Sequence, residues 1–165
     1  MWEQGETKTE RRQQLAEEII TDEMRKAIGA RSKPLIVEIE KGMIRKFAEA
    51  IEDPNPLWQD EEYAKKTRYG GIIVPPGLIM ASILTAHTID FPFQFPMPRL
   101  LDGGGEWEYL KPIRPGDVIT VEHWIVDIRE REGRMGKMIF VIGETTWTNQ
   151  RNELVARGRG TLINY

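Results

Sequence analysis

Apolar residues recur at helical spacing through much of the first ninety positions and in strand-like runs from Arg99 onward. Residues 8–28, KTERRQQLAEEIITDEMRKAI, set Leu15, Ile19, Ile20, Met24 and Ile28 near helical spacing among good helix formers. This predicts an amphipathic helix stopped by Gly29 and packed on the domain or on a partner. PLIVEIE (34–40) predicts a strand. GMIRKFAEAIED predicts a short helix, with Ile44, Phe47, Ala48 and Ile51 at i, i+3, i+4 and i+7 on one buried stripe. Asp53 falls at its end, and Pro54 and Pro56 bar further helix. DEEYAKKTRYGG (60–71) reads as a helix capped by Asp60 and stopped by the glycine pair. GLIMASILTAHTI (77–89) is apolar nearly all round, as a helix buried on every side must be. DFPFQFPMP (90–98) has three prolines in nine residues and reads as an aromatic loop of the kind that shapes a pocket mouth.

The remainder is β. RLLDGGGEWEYLKPI carries a glycine run that predicts a bend or bulge. RPGD is a turn. VITVEHWIVDI (118–128), KMIFVIGETTWT (137–148) and ELVARGRGTLI (153–163) are strands rich in β-branched and aromatic residues, joined by REREGRMG and NQRN as hairpin connections. The order is strand, short helices, one apolar helix, then four long strands. An antiparallel sheet curled around one central helix accounts for it: an α+β chain of the hot dog fold. Residues 1–32 form an N-terminal arm, the first seven resembling a tag or disordered start, and 33–165 form the domain. There is no internal repeat.

Composition narrows the function. The 165 residues suit one domain with an arm, and a net charge of -3 without a basic run argues against nucleic acid. Cysteine is absent, so disulfide and thiolate chemistry are excluded. The two histidines and scattered carboxylates show no metal-ligand spacing, so no metal is expected. No signal core and no apolar run of about 18 residues is present, which predicts a cytoplasmic protein without membrane contact.

The chemistry concentrates in EDPNPLWQD (52–60). Taken alone, an Asp after a helix is a cap or turn residue, Asn-Pro forms turns, and a nearby Trp is core or pocket wall. The wider stretch FAEAIEDPNPLWQDEEYAKKTRYGGIIVPPGLIMAS resembles the MaoC-like hot dog hydratases and dehydratases. Phe47, Ala48, Asp53, Asn55, Pro56, Leu57, Asp60, Ala64, Thr67, Gly70, Gly71, Gly77 and Ser82 match that family's pattern in one register. YLKPIRPGDVI resembles the family's strand running into a Pro-x-x-x-Gly-Asp turn. The resemblance covers residues 34 to 163.

Two positions depart from it. Trp58 stands where the family has its catalytic His, and Pro76 stands before the oxyanion-hole Gly77 where a His is common. PPG for HG is closer to the branch related to the dehydratase region of type I fatty acid synthases, which includes His-less subunits paired with a subunit that keeps it. What the resemblance implies is hydration of a trans-2-enoyl thioester, or its reverse. Asp53 and a His would hold water, Asn55 would frame the loop, and the Gly77 N–H would polarise the thioester carbonyl. An indole N–H donates only. Losing general acid–base catalysis forfeits roughly 10²–10⁴-fold in rate. Asp53 alone is a weak base.

His87, ten residues beyond Gly77 or about 15 Å along a helix, is too distant to substitute. His123 is expected to be a surface or interface residue of a strand. The implied acyl pocket is lined by Trp58, Gly71, Pro76, Gly77, Ser82, Phe93 and Phe95. Arg114, Arg157 and Arg159 are candidates for CoA phosphates, the last two sharing one sheet face, although solvated surface also accounts for them. No cofactor is expected beyond a CoA thioester as substrate. The implied partners are an acyl-CoA or acyl-carrier-protein thioester and a second MaoC-like subunit bearing Asp-x-Asn-Pro-x-His, with a homodimer as the other assembly. Three functions remain open: the acyl-binding subunit of a heteromeric enoyl-CoA hydratase, a self-sufficient hydratase using Asp53, and a non-enzymatic acyl-CoA or small-ligand binder.

Overall fold

The computed structural model describes residues 19–80, 91–134 and 136–165. Its elements, in chain order, are α1 (Asp22–Ala27), β1 (Leu35–Glu38), α2 (Lys41–Ala50), a 3-10 turn (Pro56–Trp58), α3 (Glu61–Lys66), α4 (Pro76–Met80), β2 (Leu100–Tyr109), β3 (Val118–Gly133), β4 (Gly136–Thr148) and β5 (Leu154–Asn164). The five strands form one antiparallel sheet in the order β1-β3-β4-β5-β2. This is the expected hot dog sheet. Of the predicted central helix, α4 is the described part; Ser82 and His87 lie outside the described residues.

Side-chain alternation sorts the sheet. Ile119, Val121 and Ile125 of β3, Ile139, Val141 and Trp147 of β4, and Ala156 of β5 are all buried. They build two cores. One joins Ile44 and Ala48 of α2, Trp58, Leu78 of α4 and Trp147. The other joins Met24 and Ala27 of α1 to Phe93, Ile125, Ile128 and Ile139.

Three boundaries differ from the sequence expectation. The helix expected over 8–28 is not continuous: residues 19–21 are not helical, Thr21 is extended, and α1 begins at Asp22. Thr21 accepts from the Met24 N–H at 3.2 Å and two acidic residues fill the first turn, a start signal that overrides apolar spacing. Helix α3 stops at Lys66, before the glycine pair, because the Thr67 hydroxyl takes up the Ala64 carbonyl at 2.7 Å. REREGRMG is not a long connection, since β3 runs to Gly133 and β4 starts at Gly136. Its charges are accommodated on the sheet: Glu130 pairs with Lys137 at 3.0 Å, and Arg131 lies over the Phe140 ring at 5.4 Å.

Other expectations hold. The glycine run of β2 carries a register shift between Asp102 and Gly105. The RPGD turn closes with Gly116 at φ 85° and with the Arg114 N–H on Asp117 Oδ2 at 2.8 Å. That turn exchanges backbone hydrogen bonds with Ile39, which fixes the start of α2 against the sheet.

The β4–β5 turn supplies a pH prediction. Hydrogen bonds from Asn149, Lys111 and Arg151 hold the Glu153 carboxyl down to about 2. A depressed carboxyl contributes stability that is present above its ordinary pKa and is lost as pH falls through the folded value. Glu153→Gln is therefore expected to lower the urea midpoint at pH 7. The gap to wild type should shrink between roughly pH 4.5 and pH 2. A gap that does not vary with pH would refute the network.

Candidate functional site

The site grows from the end of α2. Glu52 takes φ 53°, a left-handed conformation uncommon for a non-glycine residue. Its N–H bonds the Glu49 carbonyl at 3.1 Å, and the Asp53 N–H bonds Ala48 at 2.9 Å. This paired closure is a Schellman cap, and it delivers Asp53 against the helix end. Oδ1 of Asp53 accepts the Asn55 N–H at 3.0 Å, and Oδ1 of Asn55 accepts the Leu57 N–H at 3.0 Å. Two consecutive Asx turns thus lead into the Pro56 turn. Asn55 is the cap of that turn.

Trp58 closes the loop. Its indole Nε1–H donates to Asp53 Oδ2 at 2.7 Å. Trp58 is 9% exposed and packs in the core with Ala48 and Leu78. Both Asp53 oxygens are engaged, one by the Asn55 backbone and one by the Trp58 indole. Asp53 itself is half-buried.

The helix entrance lies beside this loop. A Cβ on Gly77 would approach Phe47 Cζ to 3.1 Å, so glycine permits α4 to rest on α2. The Pro76 carbonyl accepts the Tyr109 hydroxyl at 3.0 Å. Tyr109, on edge strand β2, is a site residue that the sequence reading missed; an isolated strand tyrosine gives no signal of such a contact. Gly71 lies where a Cβ would come within 3.3 Å of the Arg114 guanidinium, and that guanidinium donates to the Tyr69 carbonyl.

The remaining candidates are dispersed. Phe91, Phe93 and Phe95 form a ring cluster with centroids 5.0–5.6 Å apart. Phe93 is a core residue at 8% exposure, whereas Phe91 lines a cavity under the sheet with Met80. Arg157 and Arg159 do share the outer face, but each meets a carboxylate: Glu108 at 2.5 Å and Glu144 at 3.6 Å. His123, expected at a surface or an interface, is half-buried within the described residues. Its parity with Val121 and Ile125 turns it to the helix-facing side, half-buried, where burial lowers its pKa. The apolar Trp124 and Val126 beside it had masked that alternation.

A hot dog sheet, a proline-led helix entrance and an Asp-x-Asn-Pro loop together define a protein of the dehydratase type. The chain belongs to the FAS1-like dehydratase domain region family, whose model matches residues 26–157, and with it to the MaoC-like hot dog proteins. A UPF0336 protein of Thermobifida fusca is 34% identical over 99 residues, which are 58% of this chain and 65% of that one. The match therefore spans a little under two thirds of that relative's length. A probable enoyl-CoA hydratase alpha subunit of Thermomonospora curvata is 28% identical across 74% of this chain and 44% of its own. The MaoC-like dehydratase of Rhodospirillum rubrum superposes with a TM-score of 0.69 at 26% identity, covering 84% of this chain and 92% of that one. A chain of the HadBC (3R-hydroxyacyl-ACP dehydratase) complex of Mycobacterium tuberculosis shares the fold, with a TM-score of 0.69 at 22% identity over 88% of this chain and 99% of that one.

The Trp58–Asp53 bond should carry measurable stability. A hydrogen bond to a charged group contributes about 1.5–3 kcal/mol. Trp58→Phe is expected to lose that amount plus a smaller packing loss. Asp53→Asn should lose a similar amount. The double variant should be less destabilised than the sum, by 1 kcal/mol or more in a urea double-mutant cycle. Strict additivity would show that the bond contributes nothing.

Proposed function

We propose that this chain is the acyl-group-binding subunit of a heteromeric hydratase or dehydratase acting on 2-enoyl thioesters, opposite a MaoC-like subunit that supplies the catalytic Asp and His. The observation that carries this reading is the 2.7 Å bond from the Trp58 indole to Asp53 Oδ2. Hydration requires a base that takes a proton from water as the water oxygen attacks C3, and an acid that protonates C2. An indole N–H can do neither, because it only donates and is not basic. With one Asp53 oxygen on Trp58 and the other on the Asn55 N–H, the carboxylate has been turned into an internal fastener.

What remains suits binding. Pro75 and Pro76 have no N–H, so Gly77 carries the first donor of α4, the group the resemblance assigns to the thioester carbonyl. Edge strand β2 is exposed along all ten residues. Leu100, Leu101, Trp107 and Tyr109 are large apolar residues left open on it. A long bare edge of this kind suits strand pairing with a second subunit. Relatives named as a hydratase alpha subunit, and a structural neighbour that is part of a complex, support the same assembly. Arg114 remains the better candidate for a CoA phosphate, since Arg157 and Arg159 are matched by carboxylates.

The test is hydration of trans-2-enoyl-CoA, followed as loss of enoyl absorbance. The purified chain is measured alone and after co-expression with a subunit bearing Asp-x-Asn-Pro-x-His. No turnover alone and turnover in the complex is expected. Trp58→His alone should gain little, because the position is packed for an indole. Robust activity of the lone chain, abolished by Asp53→Asn, would establish a self-sufficient hydratase instead. Saturable acyl-CoA binding without turnover in any pairing would establish a binding protein.

A further inference from the structure

The helix-facing side of the sheet holds a cavity of about 360 Å³. Gly143, Gly158 and Gly160 of β4 and β5 are part of its lining. Gly143, Gly160 and Gly105 lie opposite one another on β4, β5 and β2, and Gly158 lies between Thr145 and Trp107 in the adjoining row. Glycine inside a strand weakens it and marks a place where something approaches the backbone. At Gly143 that neighbour is the His123 ring, 2.3 Å from where a Cβ would stand. At Gly160 a Cβ would meet nothing within 4 Å among the described residues.

Val141, Leu162, Phe91 and Met80 supply apolar wall, and Asp102, Arg159 and Thr161 line it as well. Two further polar groups on this face matter for binding. His123 Nδ1 is 2.9 Å from Thr145 Oγ1, which orients the ring and leaves Nε2 with no partner among the described residues. Trp147, 1% exposed, lines the same cavity, and its indole N–H is buried without an acceptor. Buried polar atoms are normally satisfied, and leaving one bare costs about 1–3 kcal/mol. Burial also keeps His123 uncharged at neutral pH, with one nitrogen donating and the other accepting. Met80, on the cavity wall, lies three residues from Gly77, about 4.5 Å along a helix.

We propose that this cavity receives an apolar group carrying a hydroxyl or carbonyl oxygen, and that His123 Nε2 binds that oxygen. Resting on the function proposed above, the group is the distal part of the acyl chain whose thioester meets Gly77. The hydratase complex would then prefer acyl groups oxygenated away from the thioester. His123 is a specificity residue in this arrangement and takes no part in the chemistry.

The test compares decanoyl-CoA with ω-hydroxydecanoyl-CoA by calorimetry on the full chain. The hydroxylated form should bind about tenfold tighter, equivalent to one hydrogen bond of about 1.4 kcal/mol. His123→Phe keeps a ring and removes both nitrogens, so it should bring the two affinities within about twofold. Gly160→Val, checked for native circular dichroism, should weaken both ligands by about tenfold. Equal binding by the wild type, a preference surviving in His123→Phe, or unchanged affinity in Gly160→Val would each overturn the proposal. If neither CoA ester binds, the hydratase reading falls, and cyclohexanol decides the cavity separately. Shifted His123 imidazole nitrogen resonances, absent from His123→Phe, would uphold it, and unmoved resonances would overturn it.

Discussion

One hydrogen bond, from the Trp58 indole to Asp53, organises the functional end of this fold. Asp53 is fixed by the cap of α2, and Trp58 is fixed by the core it shares with Leu78 of α4. The bond therefore ties the end of one helix, an irregular turn and the start of another helix into one unit. Irregular backbone is normally a weak part of a domain because few contacts cross it. Here the turn is stiffened by two prolines, two Asx turns and a charge-assisted bond to a buried ring. The same bond that stiffens it occupies Oδ2 of Asp53.

The second constraint lies in the sheet. Long strands β3 and β4 pair from Thr120 to Gly133, with one register shift between Ile125 and Asp127. Beside them Gly143 pairs with Gly160 and Gly160 with Gly105, the latter just past the register shift of β2. The glycine row lets the rings of His123 and Trp107 lie close against the backbone at Gly143, Gly105 and Gly158. A cavity in a protein of this size is destabilising unless it is used, because its walls forgo dispersion contacts. Its polar lining at His123 and Trp147 sets it apart from a simple packing defect.

Much of this was legible in the sequence. Alternation, turn chemistry and prolines located the sheet strands, the RPGD turn, the bulge in β2 and the end of α2. These are local features, and local physics decides them. The stretch around Asp53 was legible as a motif, and the substitution at Trp58 as a lost base. The bond between the two residues was not legible, because a five-residue separation across prolines does not reveal which way an indole points. The facing of His123 was not legible for a related reason. Its strand reads VITVEHWIVDI, apolar on both parities, so the inward face emerged only from pairing with β4. The charged REREG run resembled a loop because composition alone cannot separate solvated strand from solvated turn. Arg157 and Arg159 were legible as a pair on one face, but their partners Glu108 and Glu144 come from other strands.

The retention of Asp53 beside a lost histidine then needs no appeal to residual catalysis. Asp53 accepts two donors, the Asn55 N–H and the Trp58 indole. Replacing it with an apolar residue would strand a buried indole N–H and open the Asx turn that starts the Asn-Pro frame. Gly77 is held in the same way: a Cβ there would press on the Phe47 ring at 3.1 Å whether or not a thioester carbonyl is ever polarised. Asn55 caps the turn regardless of substrate. Asp53, Asn55 and Gly77 thus each have a structural duty of their own, met by packing and hydrogen bonding. A motif in register therefore argues for the fold and its pocket. At position 58 the core is packed for an indole, which has no basic nitrogen.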